Sequence, residues 1–305
     1  MVRIKITKAE IAAQSLTDEH LQSALASMDR DGVVVLENAI PVDIVDRLGD
    51  KMRDDMAAVK KVRSIAEKSS NESLAPPLNH PWVFREICYN EFAIQVTEAL
   101  LGNGVYWNFY SSNSVQANEM LEGHKVQNLH ADAKPLFPEP MSNYPTPAHM
   151  VAVNIPLCDF TEENGATEVW LGTHKEVRPL YWHGHENYKP LLAKWQDRAA
   201  IVQMTAPRSS VVVRDMRVYH RGMPNQTNQL RQMLAIVHSA PWLRVRNSMP
   251  FARGTEDFFQ HPKLEAHCTF HDPAVFTVDW RYERDQQGLP DLCRTSGQSY
   301  GGLQI

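Results

Sequence analysis

The chain has 305 residues, 43% of them hydrophobic and 22% charged, and 31 basic against 36 acidic side chains give a formal net charge of −5. That balance, without any basic block, argues against nucleic acid or an anionic membrane surface as a partner. No apolar run approaches the ~18–20 residues of a membrane span, and charges interrupt the start where a secretion signal would be apolar, so a cytoplasmic protein is expected.

In chain order, Thr17 is placed to cap a helix carrying Leu21, Leu25 and Met28 on one face, and Gly32 to end it. Residues 33–36 form a short apolar strand. Pro41 opens a second helix, where Ile44, Leu48, Met52 and Met56 recur every four residues and make one apolar face. Residues 64–82 are polar and Pro-rich and read as a loop, and residues 84–101 read as one further helix stopped by Gly102.

From about residue 105 the pattern changes to strands and turns. Alternation over 105–115 suits a strand, the five prolines within 133–148 make a loop, and further strands are expected at 149–157, 166–171, 200–204, 210–219 and 231–239, with an inserted helix at 185–198. Many short strands after N-terminal helices predict a mainly β protein with flanking helices, a sandwich or barrel. One domain over 1–305 is expected: helical support at 1–104, a barrel at 105–240 and an irregular extension at 241–305. Cys88, Cys158, Cys268 and Cys293 form no C-x-x-C pair, which excludes a zinc ribbon and favours reduced thiols.

The chemistry concentrates in Gln127-Asn128-Leu129-His130-Ala131-Asp132. His130 and Asp132 are two apart, so on an extended chain both side chains leave the same face. They supply two members of a 2-His-1-carboxylate iron triad. His220, on a later strand, is the best third ligand. Eleven residues on, Arg231 opens the strand at 231–239, and the turn-rich residues 222–228 predict a hairpin that carries its guanidinium toward the metal. A guanidinium there suits a dicarboxylate cosubstrate.

With these residues in place, the sequence resembles the phytanoyl-CoA dioxygenase-like iron(II)/2-oxoglutarate oxygenases. The resemblance runs from Asp31-Gly32-Val33 to about residue 240 and rests on Gln127, His130 and Asp132, on 160–167 (FTEENGAT) with 172–175 (GTHK), and on His220 with Arg231. The GAT segment is most similar to fungal natural-product members.

The resemblance implies a double-stranded β-helix (jelly-roll, cupin-like barrel), with His130, Asp132 and His220 holding Fe(II). It further implies 2-oxoglutarate and O2 at the remaining positions, Arg231 on the distal carboxylate, and Gln127 and Thr167 hydrogen-bonding the cosubstrate. The reaction implied is oxidation of a C–H bond by hydroxylation, desaturation, epoxidation or rearrangement, with release of succinate and CO2.

A halogenase of the same family would carry a small residue where Asp132 stands. A catalytically silent barrel acting as a binding subunit would be marked by a lost ligand, and none is lost. No basic cluster suggests a coenzyme A thioester. The resemblance to natural-product members, with the aromatic residues near the motif, implies a small hydrophobic natural product as substrate, and an amino acid is the alternative. Phe137, Met141 and Tyr144 on the loop after Asp132 are candidate substrate contacts. Trp107 and Tyr110 are divided between core and pocket wall. The loop 64–82 and the C-terminal tail are candidates for an opposite wall or a homodimer contact.

Overall fold

The computed structural model describes residues 1–62, 71–115, 126–133, 136–137, 144, 146–177, 188–244 and 248–281. The chain opens with β1 (Val2–Lys5) and α1 (Lys8–Ala13), neither of which the sequence pattern announced. β1 is held by parallel pairing to β2 (Val33–Glu37), a partner some thirty residues away. Between them lies α2 (Asp18–Asp31), where Thr17 Oγ1 accepts from the His20 N–H and Gly32 adopts φ 77° as the C-cap. α3 (Val42–Val62) follows Pro41 and buries the expected stripe of Ile44, Leu48, Met52 and Met56.

After β3 (Asn71–Glu72), the single helix expected over 84–101 is two: α4 (Arg85–Cys88) and α5 (Glu91–Leu101). Asn90 makes the break. Its Oδ1 accepts from the Ala93 N–H at 3.1 Å to start α5, and its Nδ2 donates to the Ala39 carbonyl at 2.8 Å. α2 and α5 pack on one another and onto the sheet strands behind them.

The remaining elements are β4 (Val105–Val115), β5 (Met150–Pro156), β6 (Glu168–Trp170), α6 (Tyr188–Gln196), β7 (Ile201–Gln203), β8 (Val211–Asp215), β9 (Tyr219–Arg221), β10 (Arg231–Ser239), β11 (Met249–Ala252), β12 (Leu264–Ala266) and β13 (Cys268–His271). One mixed sheet runs β1-β2-β8-β5-β10-β4-β12, with β3 also on β4, and a small antiparallel sheet runs β7-β6-β9. These two sheets enclose the cavity described below, a jelly-roll arrangement flanked by helices. The helix-side face of the large sheet carries the main apolar core, with Val151, Val153, Leu234 and Ile236 against Leu48, Met52 and Ile94.

Two expectations are corrected here. β9 and β10 do not form a hairpin: β9 pairs with β6 in the small sheet and β10 lies between β5 and β4 in the large one. The segment 222–230 therefore crosses between sheets. Within the expected irregular extension, the described residues 248–281 are ordered into strands: β11 pairs with β13, β12 extends the large sheet, and Arg281 is buried, donating to Asp55 Oδ2 and the Ala75 carbonyl, both at 2.7 Å. Cys88, Cys158 and Cys268 are free thiols, while Cys293 lies outside the described residues. No described helix is long and apolar enough to cross a membrane.

Candidate metal centre

His130 and His220 face each other across an antiparallel bridge. The His130 N–H donates to the His220 carbonyl at 3.0 Å and the His220 N–H returns the bond at 2.8 Å. Directly opposed residues of an antiparallel pair send their side chains to one face. The two imidazoles accordingly lie 4.4 Å apart, centroid to centroid. Asp132, two residues on, is anchored by its N–H to the Met216 carbonyl at 2.9 Å, and joins them on that face.

His130 Nε2 stands 3.6 Å from Asp132 Oδ1, and His220 Nε2 stands 3.4 Å from Oδ2. The three ligand atoms lie within 4.8 Å of one another, the one such cluster among the described residues. Two imidazoles and one carboxylate, with Nε2 atoms turned inward, are the donor set of a non-heme Fe(II) centre. The backs of the rings are held: His130 Nδ1 is 2.8 Å from the Asn128 carbonyl oxygen and His220 Nδ1 is 3.1 Å from that of Val218. The His130 contact favours a proton on Nδ1 and a bare Nε2 atom.

Charge follows the same design. Burial and the neighbouring Arg214 push the His220 imidazole down to about 3, so it is neutral at ordinary pH. For Asp132, burial works against ionisation, but the neighbouring His220 and the Arg214 guanidinium prevail and hold its carboxyl well below the usual carboxylate range. Arg214 Nη2 donates to Asp132 Oδ2 at 2.6 Å.

The triad opens on a cavity of about 240 Å³. Its walls follow the period of two along strands: Ala152 and Asn154 from β5, and Arg231, Met233, Ala235 and Val237 from β10. Arg231 is 3% exposed, its guanidinium lies 4.9 Å from the Phe160 ring centroid, and its Nε and Nη1 have no hydrogen-bond partner among the described residues. Gln127 and Thr167 line the same space. Gly222 N–H donates to Gln127 Oε1 at 2.8 Å, and a Cβ at Gly222 would come within 2.7 Å of that oxygen, so a larger residue would push the Gln127 amide from this position. Gly165 is more tightly constrained, with φ +79 and a Cβ approach of 2.5 Å to the Met223 carbonyl oxygen.

Arg221 is not available as a second cosubstrate cation, because it grips Glu168 through Nε at 2.7 Å and Nη2 at 3.1 Å. Trp107 and Tyr110 belong to the helix-side core with Phe251 and Phe259, and do not line the cavity. A register shift opposite Ile236 and His238 turns both rings to that side. Phe137 and Tyr144 are exposed, 50% and 64%, and Met141 lies outside the described residues. Sequence reasoning missed Asn113, Asn154 and Arg214 as cavity residues. The available signal was a polar side chain inside an otherwise apolar strand, as in MVAVNIP and VVVRD.

The family profile described as phytanoyl-CoA dioxygenase matches residues 28–233. The chain belongs to this family. Among similar curated proteins is the iron/alpha-ketoglutarate-dependent dioxygenase ausO of Aspergillus calidoustus, 29% identical over 247 residues, covering 73% of this chain and 74% of the relative. Another is dioxygenase olcK of Penicillium canescens, 26% identical over 220 residues, covering 68% of this chain and 67% of the relative. The crystal structure of AviO1 from Streptomyces viridochromogenes Tue57 superposes with a TM-score of 0.52 at 18% identity, over 73% of this chain and 96% of that one, a likeness of fold.

Proposed function

We propose that this chain is an Fe(II)/2-oxoglutarate-dependent dioxygenase that oxidises a C–H bond of a small, hydrophobic natural product in secondary metabolism, releasing succinate and CO2. The observation that carries this reading is a single cavity holding both a His-Asp-His donor set and a buried guanidinium with unused donors. Such a cation is costly to bury and finds its partner in a ligand carboxylate.

In this reading His130, Asp132 and His220 hold Fe(II), which with O2 and 2-oxoglutarate supplies the oxidising power. Arg231 pairs with the distal carboxylate of the cosubstrate. The Gln127 carbonyl is already occupied by Gly222, so its NH2 is the group left to donate into the cavity, and the Thr167 hydroxyl lies beside it. The apolar walls, Met204, Met216, Met233 and Val237, exclude water from the reacting atoms. Phe137, Met141 and Tyr144, which follow the Asp132 ligand in sequence, are assigned to substrate contact. Asp132 fills the position a halide would need, and all three ligands are present, so neither a halogenase nor a silent subunit is favoured.

The test is anaerobic addition of Fe(II) and 2-oxoglutarate. A visible metal-to-ligand charge-transfer band is expected in the wild type and is expected to vanish in His130→Ala and His220→Ala. A wild-type protein without the band would refute the assignment.

A further inference from the structure

Arg214 is an arginine within an otherwise apolar strand, Val211-Val212-Val213-Arg214, and nothing above gives it a role beyond holding Asp132. It is 4% exposed and lines the metal cavity. Besides the Nη2 bond to Asp132, its Nη1 lies 3.2 Å from His220 Nδ1, and its Nε has no partner. His220 Nδ1 is thus contacted by two groups that make opposite demands. Toward the Val218 carbonyl oxygen, at 3.1 Å, it must carry a proton; toward the guanidinium, which only donates, it must be bare. A neutral histidine that gives its Nε2 lone pair to a metal carries its proton on Nδ1. A metal held on Nε2 would leave the Nδ1–H to Val218 and Arg214 Nη1 without that acceptor. What remains is a desolvated cation with unused donors on two nitrogens, in the wall of a cavity whose ligand is a dianion.

Resting on the metal and cosubstrate reading above, we propose that Arg214 is a second carboxylate-binding residue, whose Nη1 is released by metal binding and takes up the cosubstrate carboxylate nearest the metal. The two arginines then divide the dicarboxylate between them, Arg231 at the distal end and Arg214 at the metal end. Metal and cosubstrate binding become coupled through the protein as well as through direct chelation.

The test uses Co(II) as an oxygen-stable probe metal and calorimetric titration of 2-oxoglutarate at saturating Co(II), in wild type, Arg214→Met and Arg214→Lys. Losing a charge-assisted contact predicts at least a tenfold weaker 2-oxoglutarate affinity in Arg214→Met even when every site holds Co(II). A residue that merely neutralises Asp132 would weaken Co(II) binding and leave 2-oxoglutarate affinity at saturation unchanged, and that result overturns the proposal. If Arg214→Met does not fold, Arg214→Lys makes the same comparison. Lysine keeps a cation for Asp132 but has one nitrogen in place of three. It is expected to hold Co(II) within threefold of wild type and still lose tenfold in 2-oxoglutarate affinity; a wild-type affinity refutes the role. A wild-type protein that binds Co(II) but no 2-oxoglutarate overturns the cosubstrate reading itself, and this one with it.

Discussion

Arg231→Met separates two effects that a buried, unpaired guanidinium combines. The side chain is 3% exposed with Nε and Nη1 unpartnered, and burial pulls it down to about 10, from an ordinary value above 12. At 1.36 kcal/mol per decade, keeping the charge costs the folded, ligand-free protein on the order of 3 kcal/mol at pH 7. The unfolded chain holds this proton more tightly, so the cost is complete below about pH 10 and fades only above it. Methionine keeps an apolar stem and forfeits the contact with Phe160, about 0.5–2 kcal/mol. The ligand-free variant is therefore expected to be as stable as wild type or up to about 2–3 kcal/mol more stable, in urea denaturation at pH 7. Its 2-oxoglutarate affinity should fall by about two decades, the loss of two charge-assisted bonds at about 1.5 kcal/mol each. Calorimetry on the Co(II)-loaded protein reads that change. A variant that is several kcal/mol less stable yet binds 2-oxoglutarate normally would make Arg231 a packing residue and refute the reasoning.

Arg281→Met takes from the buried Asp55 one of its two cationic partners, leaving Lys51, and should cost roughly 3–5 kcal/mol; a urea-measured loss under about 1 kcal/mol would deny the C-terminal segment a part in the core. Burial, with His261 nearby, pushes His238 down to about 3, and its Nδ1 lies 2.9 Å from Thr97 Oγ1. Stability should then decline as pH falls from about 6.5 toward 3, because the unfolded chain takes up the proton first, and His238→Gln should flatten that decline; an unchanged slope counts against it. Trp107→Ala should cost about 3–5 kcal/mol of stability and leave the product pattern intact. Phe137→Ala should do the reverse, holding its melting temperature while raising the ratio of succinate to product.

The features legible in the sequence are those set by neighbours along the chain. The caps at Thr17 and Gly32 and the stripe from Ile44 to Met56 depend on groups within a turn or two. The shared face of His130 and Asp132 depends on the two-residue repeat of extended backbone, which holds here although the segment carries only an isolated bridge. The glycines at 165 and 222 also stand in the sequence, but what they face, the Met223 carbonyl and the Gln127 side chain, is visible only in space.

Sheet membership was decided by the tertiary structure alone. Turn residues between His220 and Arg231 are compatible with a hairpin or a crossing, and β6, from fifty residues earlier, claims β9. β1 and β12 are short and become strands only because β2 and β4 offer them edges. Trp107 and Tyr110 face the core because of a register shift against β10 that no alternation within β4 predicts. Arg214 reads in sequence as a polar interruption of an apolar run; the antiparallel pairing of β8 with β5, and the return of the chain through Met216 to His220, place it against Asp132. Periodicity assigns a residue to a face, whereas pairing between distant strands decides what that face meets.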